Sequence, residues 1–311
     1  MGELIKLSTV QMAEFAARGV LRFDGVVPDR INQQVCAELD QCLTSDRLPE
    51  ADRNDPVAVY RALLAHQALP FIAPGTPWRS AFAGSSALGA LLELPIVAGA
   101  IESLVGAAAV VDHHFLHVTF PPPPGRREVA QHYHQDSTID PRGAFDVQIM
   151  YYPHAVTADM GGTRYLPGSH LRIVSESAIA RYQNIRGQQH MVCPAGTLLF
   201  LHHGLWHGGG ANRGTDRRYM WKLRLAPQEP QVRLWDTRDL PADSSRQRPI
   251  FWQNPAAARD PVHAALTTPE PWFEADVERL EFINRARFWR RLTGTDDFDA
   301  DYWLTRLENE F

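Results

Sequence analysis

Cysteine is scarce in this chain. Only Cys36, Cys42 and Cys193 occur in 311 residues, an odd and sparse set that argues against a disulfide framework and fits a reducing cytoplasm. No strong charge of one sign is present either. The formal net charge is −5, which gives no electrostatic case for a nucleic-acid or membrane-surface partner. Long hydrophobic runs are also missing. The most apolar stretch, residues 87–111, is interrupted by Glu93, Pro95 and Glu102, too broken to span a bilayer and better read as buried helices. The first ten residues lack the basic start and apolar run of a secretory signal. No internal repeat or low-complexity linker stands out. What remains is the composition of a soluble globular protein, 44% hydrophobic and 22% charged, with ample material for a core.

Three textures follow one another within a single expected domain. Residues 1–107 read as a largely helical support. Ser8 and Gln11 form a capping-box pattern for a helix that Gly19 ends. A short strand over 20–27 follows. Pro28 then suits the first turn of a helix whose apolar face is Ile31, Val35, Leu39 and Leu43. A looser, proline-bearing region runs to about residue 85, followed by a helical stretch over 88–105. Residues 108–228 change to short runs of β-branched and aromatic residues broken by Gly and Pro, with strands expected at 110–120, 145–153, 163–166, 197–201 and 218–225. Pro121-Pro122-Pro123-Pro124-Gly125 must end the first of these, since proline cannot continue a ladder. Many short strands with few intervening helices predict a mainly β chain with flanking helices and an antiparallel jelly-roll core, not a parallel α/β sheet. Residues 229–311 form a C-terminal extension: irregular over 246–270, helical from Pro271, with a last short helix over 299–307. Five of the eight tryptophans lie in it. It is expected to pack on the core, although it could instead lid a pocket or form a subunit contact in a homodimer.

Histidine is concentrated. Eight of the 13 fall in residues 112–136 and 201–207. Within them, His134-Gln135-Asp136 places an imidazole and a carboxylate two residues apart, so on a strand both leave by the same face. His207, from a distant segment, can close a facial triad with open coordination positions, the set suited to Fe(II). Zinc accepts the same ligands, and a lone His-x-Asp is common by chance. Arg218 shifts the balance. A guanidinium is the natural bidentate partner of the far carboxylate of a small dicarboxylate such as 2-oxoglutarate. Its neighbour Arg217 has the opposite strand facing. His132, His202 and His203 are competitors for ligand status, His132 by shared strand parity with His134 and Asp136. His202 and His203 are expected at the strand end or bonded to backbone, and His170 in a Pro-Gly-Ser-His turn is not expected to bind metal.

Together His134-Gln135-Asp136, the segment 159–170 (DMGGTRYLPGSH), His207-Gly208-Gly209-Gly210-Ala211-Asn212 and Arg218 resemble the phytanoyl-CoA dioxygenase family. The likeness covers roughly residues 112–227 and, more weakly, Phe23-Asp24-Gly25. It implies a double-stranded β-helix, a cupin-like jelly-roll variant, and Fe(II)- and 2-oxoglutarate-dependent oxidation by O2 with release of succinate and CO2. By the same resemblance His134, Asp136 and His207 hold the metal and Arg218 pairs with 2-oxoglutarate. Gln135 matches a residue often found between the ligands, and Leu116 or His117 lines the cosubstrate pocket. Family members often carry Trp on the strand after the metal motif. Here that face offers Gln148, Met150 and Tyr152, of which Tyr152 is the candidate cosubstrate contact. Related halogenases replace the carboxylate ligand, so Asp136 favours hydroxylation of an unactivated C–H bond or another oxidation over halogenation.

The expected substrate is a small organic or natural-product-like molecule, left undefined among acyl-CoA thioesters, amino acids and polycyclic skeletons. Arg126, Arg127, Arg213 and Arg217 near the expected mouth would suit phosphates, and equally suit solvated loops. Two other classes use the same residues: a non-catalytic jelly-roll protein that binds a metabolite, and a zinc-dependent hydrolase.

Overall fold

The computed structural model describes residues 3–239, apart from 45, 54, 66–68, 83–85, 123–124, 126–129, 137–145, 173–178, 180–184 and 232–233, together with Phe288 and Leu292. Its elements run α1 (Thr9–Arg18), β1 (Val20–Phe23), α2 (Asp29–Cys42), α3 (Pro56–Ala65), β2 (Thr76–Pro77), α4 (Trp78–Ala81), α5 (Ala87–Leu92) and α6 (Pro95–Val105). They continue with β3 (Val110–Thr119), β4 (Val147–Tyr152), β5 (Thr163–Tyr165), β6 (Gln189–His190), β7 (Thr197–His202), β8 (His207–Gly209) and β9 (Arg218–Ala226).

The helices begin and end where local chemistry requires. Ser8 and Gln11 cap α1 reciprocally, and Gly19 closes it in the left-handed conformation at φ 70°. The stretch expected as one helix over 88–105 is two. The backbone breaks at Glu93-Leu94, and Pro95 opens α6 at its first turn, where its missing N–H costs nothing. The looser region before residue 85 contains α3, whose apolar residues sequence periodicity left unassigned. Among the described residues no helix is long and apolar enough to cross a membrane.

Two antiparallel sheets face each other. The larger has the order β1-β7-β4-β9-β3-β2 and the smaller β6-β5-β8. This is the jelly roll expected from the strand pattern. One face of the large sheet carries Val147, Ile149, Tyr151, Leu198, Phe200, Trp221 and Leu223. These form one core with Phe15, Ile31, Leu39, Leu91 and Ile101 of the helices. The opposite face carries Met150, Tyr152, Leu199 and Met220, which pack with Met160, Tyr165 and Met191 around the small sheet. Both faces are covered, so β4 and β7 are buried at every position, and polar alternation is lost. A bulge between Val111 and His113 inserts Asp112 into β3, which lets Val111 and Leu116 both face the helical core despite their odd spacing.

Of the extension beyond residue 239, the described residues are Phe288 and Leu292. Both are helical and buried. The Phe288 ring lies 6.3 Å from that of Phe15 and 5.3 Å from that of His202, so this part packs on the core. The irregular stretch over 246–270 and the helix over 299–307 lie outside the described residues.

Candidate metal centre

Between the two sheets, three side chains converge. Ligand atoms of His134, Asp136 and His207 all lie within 4.8 Å of one another. His134 Nε2 is 3.7 Å from Asp136 Oδ1, and His207 Nε2 is 3.6 Å from Asp136 Oδ2. The two imidazole rings sit 4.5 Å apart. The backbone supports this directly, because His134 and His207 exchange N–H to carbonyl bonds of 2.9 Å as an isolated antiparallel bridge. The His-Gln-Asp segment is therefore not the regular strand expected from sequence. One bridged residue, with Asp136 at a bend two positions on, is enough to bring both side chains together.

Each histidine is oriented the same way. His134 Nδ1 donates to the His132 carbonyl at 3.0 Å, and His207 Nδ1 donates to the Leu205 carbonyl at 2.9 Å. That fixes the tautomer and leaves both Nε2 lone pairs facing Asp136. Burial pushes the His207 pKa down to about 4, with Asp136 opposing, so this ligand is neutral at physiological pH. Burial alone would raise the Asp136 pKa. His207, Lys222, His203 and His134 outweigh that and hold its carboxyl well below the usual range. Asp136 Oδ2 is buried with no hydrogen-bond donor. Two imidazole nitrogens and one carboxylate oxygen within 4.8 Å of one another fit a divalent cation, and Fe(II) by ligand type.

Glycine makes the approach feasible. At Gly208 a Cβ would meet the His132 carbonyl oxygen at 2.8 Å, and at Gly161 (φ +62°) it would meet the Ala211 carbonyl oxygen at 1.9 Å. Any side chain at either position would push apart the segments carrying the ligands. Asn212, fully buried, bonds the carbonyls of Thr119 and Asp216 and accepts from Gly214 N–H. It thereby closes the turn that delivers Arg218.

Arg218 opens β9 on the face that looks into the barrel, opposite Thr119. It is 6% exposed. Its guanidinium donates to the carbonyls of Met160 and Gly161 and to Thr119 Oγ1, and burial lowers its pKa, with Tyr152 opposing. Three of five N–H donors are used. Among the described residues no carboxylate pairs with it, so a buried cation awaits an anion. Tyr152 lies beside it and donates to Thr163 Oγ1 at 2.7 Å.

One expected contact needs correction. Leu116 points into the helical core, paired in register with Trp221. Strand parity makes His117 the residue of β3 that faces the site, where its neighbours include Lys222, Asp136, Arg218 and His207. Gln135 is buried. Of the other histidines, His132 is exposed and offers only its carbonyl. His170 Nε2 meets the Ala16 carbonyl, and His202 Nδ1 accepts from Gly204 N–H. Arg217 pairs with Asp40 away from the barrel interior, and Arg126 and Arg127 lie outside the described residues.

Two further side chains flank Asp136. Lys222 Nζ lies 3.6 Å, and His203 Nε2 3.9 Å, from Asp136 Oδ2. Lys222 was findable, since it is four residues beyond Arg218 and shares its strand face.

Fold and site together define the class: a jelly-roll chain with the ligand set of an Fe(II)/2-oxoglutarate-dependent oxygenase. The family model for phytanoyl-CoA dioxygenase matches residues 15–220, and the chain belongs to that family. Two curated relatives, Uncharacterized protein Rv1501 of Mycobacterium tuberculosis and Uncharacterized protein Mb1539 of Mycobacterium bovis, are each 31% identical over 130 residues. That match spans 40% of this chain and 46% of theirs, under half of each. Among solved structures, the apo form of ThoJ, titled a non-heme monooxygenase, is similar at TM-score 0.50 and 16% identity over 91% of this chain and 98% of its own. EvdMO1 is similar at TM-score 0.50 and 16% identity over 70% of this chain and 50% of its own. These likenesses establish the fold.

Proposed function

We propose that this chain is an Fe(II)- and 2-oxoglutarate-dependent dioxygenase that oxidises a small organic substrate, by hydroxylation of an unactivated C–H bond. The observation that carries this reading is the convergence of His134, Asp136 and His207 in one site with a buried arginine that, among the described residues, pairs with no carboxylate. When bound, Fe(II) and 2-oxoglutarate would supply the oxidising chemistry, with O2 consumed and succinate and CO2 released.

The remaining work belongs to the protein. His134 and His207, held by the His132 and Leu205 carbonyls through Nδ1, turn Nε2 towards the metal position. Asp136 supplies the one negative charge. Arg218 binds the distal carboxylate of the cosubstrate with its two remaining N–H groups, and Tyr152 and Thr163 close that end. Met150, Leu199 and Met220 wall the interior against water, which strengthens every charge interaction within it. Asp136 stands where a halide would otherwise have to bind, which favours hydroxylation over halogenation.

The test is a screen of small organic substrates scored by succinate release from Fe(II), 2-oxoglutarate and O2. Release above background is expected, and its loss in Asp136→Ala. Equal release with and without the Asp136 carboxylate would refute the reading.

A further inference from the structure

Lys222 is a charge that the metal chemistry does not require. It sits on β9 facing the barrel interior, opposite Phe115 in register, with its ammonium 3.6 Å from Asp136 Oδ2. Among the described residues Asp136 is the one carboxylate paired with it, since Asp112 and Asp146 are taken by Arg224. Among the described residues facing the interior here, the negative charge of Asp136 stands against two cations, Arg218 and Lys222. A ferrous ion and dianionic 2-oxoglutarate would cancel each other, leaving one positive charge over. An uncompensated charge in so enclosed a site is costly, so the loaded centre is built to accept one more anion.

Position says which anion. Arg218 and Lys222 are four residues apart on one strand, roughly 13 Å along its axis. Arg218 reaches towards Thr119, Met160 and Gly161, while Lys222 reaches towards Asp136. His117 lies between them, facing Met220 in register. The cosubstrate belongs to the Arg218 end, which leaves the Lys222 end for the molecule to be oxidised. That end has an aromatic wall. Phe115 is stacked on Tyr60 of α3 at 5.0 Å between centroids and 18° between planes, and meets the edge of His117 at 4.8 Å. Phe115 nevertheless remains partly uncovered.

We propose that Lys222 is the specificity-determining residue of this site: it binds the carboxylate of an organic acid whose apolar body lies against Phe115. The proposal rests on the oxygenase reading above and names its substrate class. A charge-assisted pair in a half-buried site gives roughly tenfold or more in affinity over a neutral analogue.

The experiment uses the full chain loaded anaerobically with Fe(II) and 2-oxoglutarate, followed by the weak visible charge-transfer band of that complex. The probes are benzoate and 3-phenylpropanoate, each against its methyl ester, added while the band is recorded. At least one acid is expected to shift the band and to bind roughly tenfold more tightly than its ester. Lys222→Met should keep the band and the 2-oxoglutarate affinity but bind acid and ester alike, whereas Lys222→Arg should keep the preference. Equal binding of acids and esters to the unmodified protein, binding of neither, or displacement of the band by the acids overturns the proposal. So does a preference that survives in Lys222→Met, or a tenfold loss of 2-oxoglutarate affinity in that variant, which would assign Lys222 to the cosubstrate. Absence of the band from the unmodified protein would instead refute the oxygenase reading itself.

Discussion

At the scale of single residues the account depends on charge in an enclosed space. In the proposed centre Asp136 would be the anionic ligand, and its loss would leave two imidazole rings that hold a divalent ion poorly. Asp136→Ala is expected to weaken Fe(II) binding by two orders of magnitude or more, measured by anaerobic metal titration; retained affinity would remove Asp136 from the centre. Arg218→Ala removes a guanidinium that is 6% exposed, and should raise the apparent 2-oxoglutarate dissociation constant roughly tenfold or more while metal affinity changes little. Burial holds His202 neutral, with its pKa lowered to about 3, against about 6.5 in an unfolded chain. Below about pH 6.5 the unfolded chain therefore binds a proton that the folded one refuses, and stability falls as pH falls. The loss is about 1.4 kcal/mol per pH unit for each such histidine. Urea unfolding of the metal-free protein at pH 7 and pH 5 should show His202→Gln losing about 2 kcal/mol less than the parent over that interval. An unchanged difference would mean that His202 titrates normally.

At the scale of elements, the parts that were legible in the sequence are those governed by local chemistry. The capping box at Ser8 and Gln11, the glycine stop at Gly19 and the edges of β3, β4, β7 and β9 follow from residues a few positions apart. What was hidden depends on partners distant in sequence. β6 and β8 are two and three residues long and exist because β5 pairs with both. The bulge at Asp112 reverses the facing of β3 beyond it, and the facing of Leu116 and His117 follows from the register with β9. The same applies to the site. His134, Asp136, His207 and Arg218 could be named from spacing and family resemblance, and the facing of Lys222 follows from Arg218, whereas the closeness of Lys222 and His203 to Asp136 depends on segments distant in sequence packing around it. Gly208 is the element-scale test. Gly208→Ala places a methyl 2.8 Å from the His132 carbonyl oxygen, so it should part the His134–His207 bridge and lower metal affinity at least tenfold even where the variant still folds. Metal affinity equal to the parent's would show that the bridge does not set the ligand spacing.

At the scale of the whole molecule, the two faces of the large sheet differ: the helix-facing side packs into the larger core, and the inward side carries Arg218 and Lys222. The C-terminal extension contributes to that core through Phe288, which is fully buried among Phe15, His170 and His202. Phe288→Ala should therefore cost about 3–5 kcal/mol in urea unfolding, a value near zero being incompatible with the packing. His202, fully buried behind the site, ties that packing to the end of β7. The function itself turns on whether the interior binds metal and keto acid together. The most direct test is anaerobic titration of the metal-free protein with Fe(II) and then 2-oxoglutarate, observed by visible absorption. A weak charge-transfer band that saturates at one equivalent of each, and that is absent when zinc replaces iron, is the predicted result. No band at saturating iron and cosubstrate would contradict it.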